Sequence, residues 1–343
     1  MTDYWIRDDA IIFKPKFTGI CEFEKKSLNK YGDIICEFEK KSLDEYEDII
    51  YGYKKLIFSN YSVSSLYIET NNEYCVKYEN YYLGNNFNQK SDIFKNFSNL
   101  THLFFGLFFN NEVNLPKSLT HLTFGFKFDK YVILPPNLIF LTFDYKFNQN
   151  VKLPKKITHL IFGSVFNRYV DLPPKLVKLV FGDSFNQELH NLPSTLTELT
   201  LGSYFNQELS NLPPHLTNLT LGLAFNQQIN LPSSIKYLEL DSNNYSIISN
   251  LPNGIEELVL GKNFSSNLDD LPSGIKKITF NRDTYNCKLN CLPKSIEYLK
   301  LSKYYTNKIT SIPKALKKLI CCKDYIYIND FISSEYYIET FEK

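Results

Sequence analysis

The chain has 343 residues, 43% of them hydrophobic, which is enough apolar material for a sizeable core. Lys and Arg number 38 against 37 Asp and Glu, a formal net charge of +1, so no electrostatic footprint for nucleic acid or an anionic membrane is present. Seven cysteines, an odd number, argue for reduced thiols over a disulfide framework.

The opening stretch, MTDYWIRDDAIIF, has no basic segment followed by a long apolar one and reads as no signal peptide. No apolar run is long enough to span a bilayer. With reduced thiols, this leads us to expect a cytoplasmic location. Residues 21–35 (CEFEKKSLNKYGDII) are followed at once by residues 36–50 (CEFEKKSLDEYEDII), and 12 of 15 positions agree. The doubled segment is either a repeated peptide motif for a partner or a recent duplication of the kind tolerated near a terminus. Residues 51–98 are apolar enough to fold and read as degenerate opening coils, so that 1–98 form an N-terminal cap region.

A strict repeat occupies residues 99–318. Leu-Pro recurs at Leu115, Leu134, Leu153, Leu172, Leu192, Leu212, Leu231, Leu251, Leu271 and Leu292, with Ile312-Pro313 closing the series, in steps of 19 to 21 residues. Phe-Asn keeps the same beat at Phe109-Asn110, Phe147-Asn148, Phe166-Asn167, Phe185-Asn186, Phe205-Asn206 and Phe225-Asn226, and Phe128-Asp129, Phe264-Ser265 and Tyr285-Asn286 vary it. A period near twenty marks a solenoid of the leucine-rich-repeat length class.

One unit shows the physics. In Leu196–Leu201 apolar and polar residues alternate over the last part, with the two-residue period of a strand. Leu199 and Leu201 are expected to face the core, Glu198 and Thr200 the solvent. Gly202 follows, as do Gly106, Gly125, Gly163, Gly182, Gly222 and Gly261 in their units, where a residue free to adopt positive φ suits a recurring turn. Phe205 then fills the coil interior, Leu209 and Leu212 close it, and Pro213 stiffens a return leg too short for a helix. The asparagines, able both to donate and to accept, are expected to stack and bridge one coil's backbone to the next. Asp129 and Ser265 would do part of that work. The Phe-Asn pairs are therefore read as structural.

The outward strand positions vary where the core does not. The first column reads His102, His121, Phe140, His159, Lys178, Glu198, Asn218, Tyr237, Glu257, Lys277, Tyr298 and Lys318. The second reads Phe104, Thr123, Thr142, Ile161, Val180, Thr200, Thr220, Glu239, Val259, Thr279, Lys300 and Ile320. Exposed apolar residues gathered on one face mark a partner surface, with Phe140 and Tyr237 as the favoured anchors. Residues 319–343 read as the C-terminal cap, and from Tyr325 to Lys343 apolar and polar residues alternate with acidic additions.

Three histidines, His102, His121 and His159, each sit in a Thr-His-Leu triplet. Zinc takes such ligands, yet Phe140 interrupts the column and no carboxylate occupies a nearby rung, so no metal is expected. Cys287, Cys291, Cys321 and Cys322 lack the paired spacing of a zinc module and read as structural. No nucleophile elbow, phosphate loop or dinucleotide fingerprint occurs. Neither an enzyme nor a cofactor is expected.

The two-part phrase with its spacing, from about Phe87 to Pro313, resembles the FNIP-repeat family, a leucine-rich-repeat-like group known from slime moulds and amoeba-infecting giant viruses. The resemblance implies an interaction scaffold. Some relatives carry an N-terminal F-box that docks a ubiquitin ligase, and the first hundred residues here show none. The expected fold is a right-handed solenoid of about twelve coils whose short parallel strands form one long curved sheet. Its expected role is protein–protein recognition by the exposed sheet face, for example as a substrate-recognition module. A structural or assembly component, such as part of a virus particle, is the alternative.

Overall fold

The computed structural model describes residues 101–342 except 106, 262, 282 and 333–336, and before them the backbone of short strands between residues 4 and 68. The chain divides into two compact units, 1–175 and 176–343. The doubled 15-residue segment, apart from the strand backbone within it, and most of the opening coils expected over 51–98 lie outside the described residues.

In the first unit, Ala10–Phe13 pairs antiparallel with Tyr4–Arg7 and parallel with Lys55–Phe58, which also pairs antiparallel with Ile34–Glu37. The strand Ser65–Ile68 runs parallel to Ile20–Phe23 on one side and His102–Phe105 on the other. His121–Phe124, Phe140–Phe143 and His159–Phe162 continue that parallel series. The second unit stacks Lys178–Phe181, Glu198–Leu201, Asn218–Leu221, Tyr237–Leu240, Glu257–Leu260, Lys277–Phe280, Tyr298–Lys300, Lys318–Cys322 and Tyr337–Phe341, each parallel to the next. Both units are built as a leucine-rich-repeat-like solenoid with little helix.

Each coil is closed by two tight turns. After the strand Glu198–Leu201, Phe205 N–H donates to Gly202 O at 3.3 Å, and Leu216 N–H donates to Pro213 O at 3.1 Å just before the next strand. Proline suits the second turn because its fixed φ favours the bend and its missing N–H is not needed there. Between coils, Thr217 and Asn218 N–H both donate to Thr197 O, at 2.9 and 3.0 Å. The register carries no offset: Leu199 faces Leu219 and Leu201 faces Leu221. Like residues therefore lie on like residues, which is why the core repeats.

The interior of the first unit is a double phenylalanine spine. Phe105, Phe124, Phe143 and Phe162 at the strand ends stack at 5.0 to 5.6 Å between ring centroids. Phe109, Phe128, Phe147 and Phe166 stack beside them at 5.9 to 6.0 Å. Within each coil the two rings meet at 3.7 to 4.2 Å. In the second unit Phe181 and Phe280 keep the strand-end ring, while leucines such as Leu201 and Leu221 take that place in the coils between, and Phe185, Phe205 and Phe225 continue the other column at 6.1 Å. Each fully buried Phe or Leu contributes roughly 1.5–3 kcal/mol over its exposed state.

Two expectations about this coil need correction. The glycines are not there for positive φ: Gly163, Gly202, Gly222 and Gly261 all lie outside the left-handed region. A Cβ at Gly163, Gly202 or Gly222 would come within 2.2–2.3 Å of the carbonyl oxygen one coil back, on Asp144, Gly182 or Gly202. Close approach of successive coils, rather than turn conformation, excludes a side chain. Nor does Leu212 close the core; it is half-buried, and Pro213 beside it is buried instead.

One coil departs from the pattern. Asp241 follows its strand as Gly222 does one coil earlier, with its N–H on Leu221 O at 2.9 Å, but the turn is shorter: Asn243 Oδ1 already accepts Ser265 N–H at 2.9 Å, the ladder role of Asn206, and no phenylalanine fills the interior. A single helical turn, Tyr245–Ile248, supplies Ile247 and Ile248 instead, both buried. At the C-terminal end, Tyr325 is buried, a second helical turn spans Asn329–Ile332, and among the described residues from Tyr325 onward the expected alternation appears as a strand at Tyr337–Phe341.

Candidate interaction surface

Alternation places one face of every strand outward, and the absence of register offset lines these residues into columns. In the first unit His102 is registered on His121. The ring of Phe140, 37% exposed, is sandwiched between His121 and His159 at 4.4 and 4.3 Å. Thr120 Oγ1 lies 2.9 Å from His121 Nδ1, and Thr158 Oγ1 lies 2.8 Å from His159 Nδ1. These contacts orient the imidazoles. The side chains of His102 and Phe104 lie outside the described residues. Among the described residues, no cluster of ligand-type side chains is arranged to hold a metal ion.

In the second unit the same column carries charge. Lys178 pairs with Glu198 at 2.8 Å, Lys277 with Glu257 at 2.7 Å and Lys318 with Glu339 at 2.6 Å. Asn218 is exposed between them. Tyr237 donates its hydroxyl to Glu239 at 3.0 Å, and burial, followed by the nearby Glu239 carboxylate, pushes its ionisation well above the usual tyrosine range. Tyr298 lies between two ammonium groups, Lys277 at 5.1 Å and Lys318 at 5.9 Å from its ring centroid. One residue earlier in each coil runs a second charged row. Lys236 and Lys276 flank Glu256 at 3.1 and 2.7 Å, and Lys317 meets Glu297 at 2.6 Å. Hydrogen bonds from Lys276 and Lys236 hold Glu256 below the usual carboxylate range, and Lys317 does the same for Glu297. Such solvent-exposed pairs contribute little stability each, so they order the face more than they hold it together.

Not every outward position is open. Ile161 and Val180 are half-buried, and Val259 and Ile320 are buried, 6% and 9% exposed. Register sets Val259 between Glu239 and Thr279, and Ile320 between Lys300 and Glu339. The available surface is thus both columns, apart from the buried Val259 and Ile320.

The Phe-Asn positions form a separate, inner ladder. Phe109, Phe147, Phe166, Phe185, Phe205 and Phe225 are all at most 1% exposed. Asn148 Oδ1 accepts Asn167 N–H at 3.0 Å, Asn186 Oδ1 accepts Asn206 N–H at 2.9 Å, and Asn206 Oδ1 accepts Asn226 N–H at 2.8 Å. Asn110 Oδ1 likewise receives Asp129 N–H at 2.9 Å. The acceptor is what each of these bonds uses. Asp129 therefore does the whole job: its Oδ1 takes both Asn148 N–H and Gln149 Nε2, at 2.9 Å each. The ladder lies half-buried along the coil edge. Sequence reasoning missed Gln149, Gln207 and Gln227, whose amides donate to the preceding rung; the signal was the third letter of the Phe-Asn-Gln phrase.

Cys321 and Cys322 are buried, Cys287 half-buried and Cys291 exposed, all as free thiols. Burial raises Cys321 to about 11, which makes it a poor nucleophile. Among the described residues, no helix is long and apolar enough to cross a membrane.

Comparison with known proteins agrees with this geometry. The chain is similar to CroV588, a circular leucine-rich-repeat protein, with 29% identity and a TM-score of 0.63 over 94% of this chain and 48% of that one. It therefore spans about half the length of that protein. Similarity to YopM from Yersinia enterocolitica WA-314 has 18% identity and a TM-score of 0.40, covering 76% of this chain and 74% of the other. A leucine-rich repeat protein from Bacteroides ovatus ATCC 8483 follows with 13% identity and a TM-score of 0.26, covering 95% of this chain and 100% of that one. No curated protein matches the sequence. The profile of the FNIP Repeat matches residues 128–165, 147–184, 166–204, 185–224, 205–243, 225–263, 264–303 and 285–323. Together these matches span more than half of the chain, and the protein belongs to the FNIP-repeat family.

Proposed function

We propose that this repeat protein is a non-enzymatic protein-recognition module that engages its partner with the exposed sheet face. The observation carrying this reading is the contrast across each strand. Inward positions such as Leu199, Leu219, Leu238 and Leu258 hold one residue type at 1% exposure or less. Their outward neighbours change from imidazole and phenyl to paired charges and tyrosine. A solenoid needs constancy only in its core, and its long face suits an extended partner. Phe140 and Tyr237 are the proposed anchors, since aromatic side chains dominate such contacts.

The test is a set of single variants, Phe140→Ala, Lys178→Glu, Tyr237→Ala and Glu257→Lys, used as bait for capture from cytosol. Capture of a defined soluble partner should weaken while circular dichroism and melting stay close to wild type. Undiminished capture by all four variants refutes the sheet face as the site. Co-sedimentation of the protein with large assemblies, in place of a soluble partner, would favour the assembly reading.

A further inference from the structure

Of all the asparagines in the chain, Asn253 alone is followed by glycine. The pair sits in the proline turn of its coil, where Ile255 N–H donates to Pro252 O at 3.2 Å. Asn253 is exposed. Among the described residues, neither its side-chain amide nor the Gly254 N–H makes a hydrogen bond. In other coils this turn is tied down. Thr195, Ser234 and Ser295 stand where Gly254 stands, and each donates its hydroxyl to a carbonyl one coil back, on Leu176, Leu216 and Ile275, at 2.6, 2.6 and 2.7 Å. Gly254 has no side chain with which to make that bond. Lys236 reaches it instead, its exposed ammonium donating to Gly254 O at 3.1 Å.

A backbone nitrogen can close a ring onto the asparagine side chain before it when no Cβ crowds that nitrogen and its φ is free to adjust, which is the case for glycine. We infer that Asn253–Gly254 is a self-modification site whose co-reactant is water. The Gly254 nitrogen attacks Asn253 Cγ, the Cγ–Nδ2 bond breaks, and Nδ2 leaves as ammonia with the proton that the Gly254 nitrogen lost. Water then opens the succinimide ring. Cleavage of the new N–Cγ bond leaves aspartate at position 253. Cleavage of the original N–C bond leaves isoaspartate, with the chain now running through Cγ. The first step needs the amide nitrogen without its proton, so the rate rises with pH. Both products place a carboxylate beside the residue that Lys236 holds. Lys236 also pairs with Glu256 at 3.1 Å, so the new charge falls at the start of the charged row. Isoaspartate does more. It adds a backbone carbon to a turn whose Asn253 O already lies 2.4 Å from where a Gly274 Cβ would stand, and so presses on the next coil. This chemistry proceeds whether or not the sheet face binds a partner.

The experiment incubates the full chain at mildly alkaline pH in heavy-oxygen water, beside the peptide acetyl-Leu-Pro-Asn-Gly-Ile-amide as a reference without a fold. Peptide mapping by mass spectrometry should find residue 253 converted to a mixture of aspartate and isoaspartate, each carrying heavy oxygen, at a rate within severalfold of the peptide's. Asn250 and Asn263, exposed but followed by Leu251 and Phe264, should stay intact over that time. Gly254→Ala should slow the conversion severalfold, and the same exchange in the peptide separates the loss of glycine from any shift of the turn. Protein enriched in isoaspartate should melt below the Asn253→Asp variant, which carries the charge without the longer backbone. Residue 253 left intact in the folded chain after the peptide has converted would overturn the assignment. So would aspartate as the sole product, which marks direct hydrolysis of the side chain, or conversion spread evenly over the exposed asparagines. Equal melting of the isoaspartate protein and Asn253→Asp would overturn the part given to Gly274.

Discussion

Replacing Phe205 by Ala removes a ring from the centre of the second unit. Phe205 is 0% exposed and lies 6.1 Å from both Phe185 and Phe225. Burial of the ring contributes roughly 1.5–3 kcal/mol, and the cavity left behind brings Phe→Ala changes in cores to about 3–5 kcal/mol. The hole cannot collapse easily. Leu201 and Leu209 on the same coil are already buried, and the rings above and below are fixed by their own coils. In an array whose repeats couple mainly to their neighbours, damage at one coil separates the stack into weaker halves. The melting curve of Phe205→Ala should therefore shift down strongly or split into two transitions. Phe205→Leu retains most of the volume and should cost about 1–1.5 kcal/mol. Urea denaturation followed by far-ultraviolet circular dichroism, with tyrosine fluorescence as a second probe, separates the two shapes of loss. An unchanged melting curve for Phe205→Ala, together with lost partner capture, would refute the structural role given to the Phe-Asn phrase.

Because the ladder uses Asn206 only as an acceptor in its two Oδ1 bonds, Asn206→Leu should cost about 1–2 kcal/mol while Asn206→Asp costs clearly less; equal losses in denaturant midpoints would contradict the acceptor reading. Gly202→Ala places a methyl 2.3 Å from Gly182 O and should cost about 1–3 kcal/mol by overpacking, whereas Ser203→Ala one residue on should lower the melting temperature little. Tyrosines fill the last coils, and burial raises Tyr305 to about 12 and moves Tyr285 and Tyr325 further in the same direction, while Cys321 rises to about 11. A group whose folded-state pKa is raised contributes stability below its unfolded value and loses it as pH climbs through the folded value. The C-terminal coils should accordingly weaken from about pH 9–10 upward, ahead of the Phe185–Phe225 coils, and hydrogen exchange that opens both regions together would count against this.

How much of this could be read beforehand depends on the range of the forces involved. The strand positions, the buried Phe205 column and the proline turns were legible because each is set within one coil, by alternation and by φ. The glycines were assigned the wrong cause because their constraint comes from the coil behind, and nothing within one unit reveals how closely the next one packs. Val259 and Ile320 have the parity of exposed residues, yet they are buried between their neighbours on adjacent strands. The helical turn Tyr245–Ile248 is too short to show a helical period, and the burial of Ser242 shows only in contrast to the turns beside it. The candidate face was legible as a set of positions. Its internal pairing was not, since Lys178 with Glu198 and Glu257 with Lys277 are contacts between coils.

Those contacts obey a rule that points back to the sequence. In a parallel stack without register offset, a side chain's lateral neighbour is the residue one period away, not the one two positions along the strand. Read at that lag, Lys236, Glu256, Lys276, Glu297 and Lys317 alternate in sign at every step, and the pairs Lys236–Glu256, Lys276–Glu256 and Lys317–Glu297 are formed. Like charges on successive rungs would repel, so a charged column on this fold has to alternate. Thr120, Thr158, Thr197 and Thr217 occupy the same row in the uncharged coils and turn their hydroxyls to the carbonyl one coil back. Neutral rungs thus tie to backbone and charged rungs tie to each other. The same lag exposes the break: one period on from Phe225 stands Asn244, so the coil that lacks an interior phenylalanine is the one whose residues fail to match their lateral neighbours.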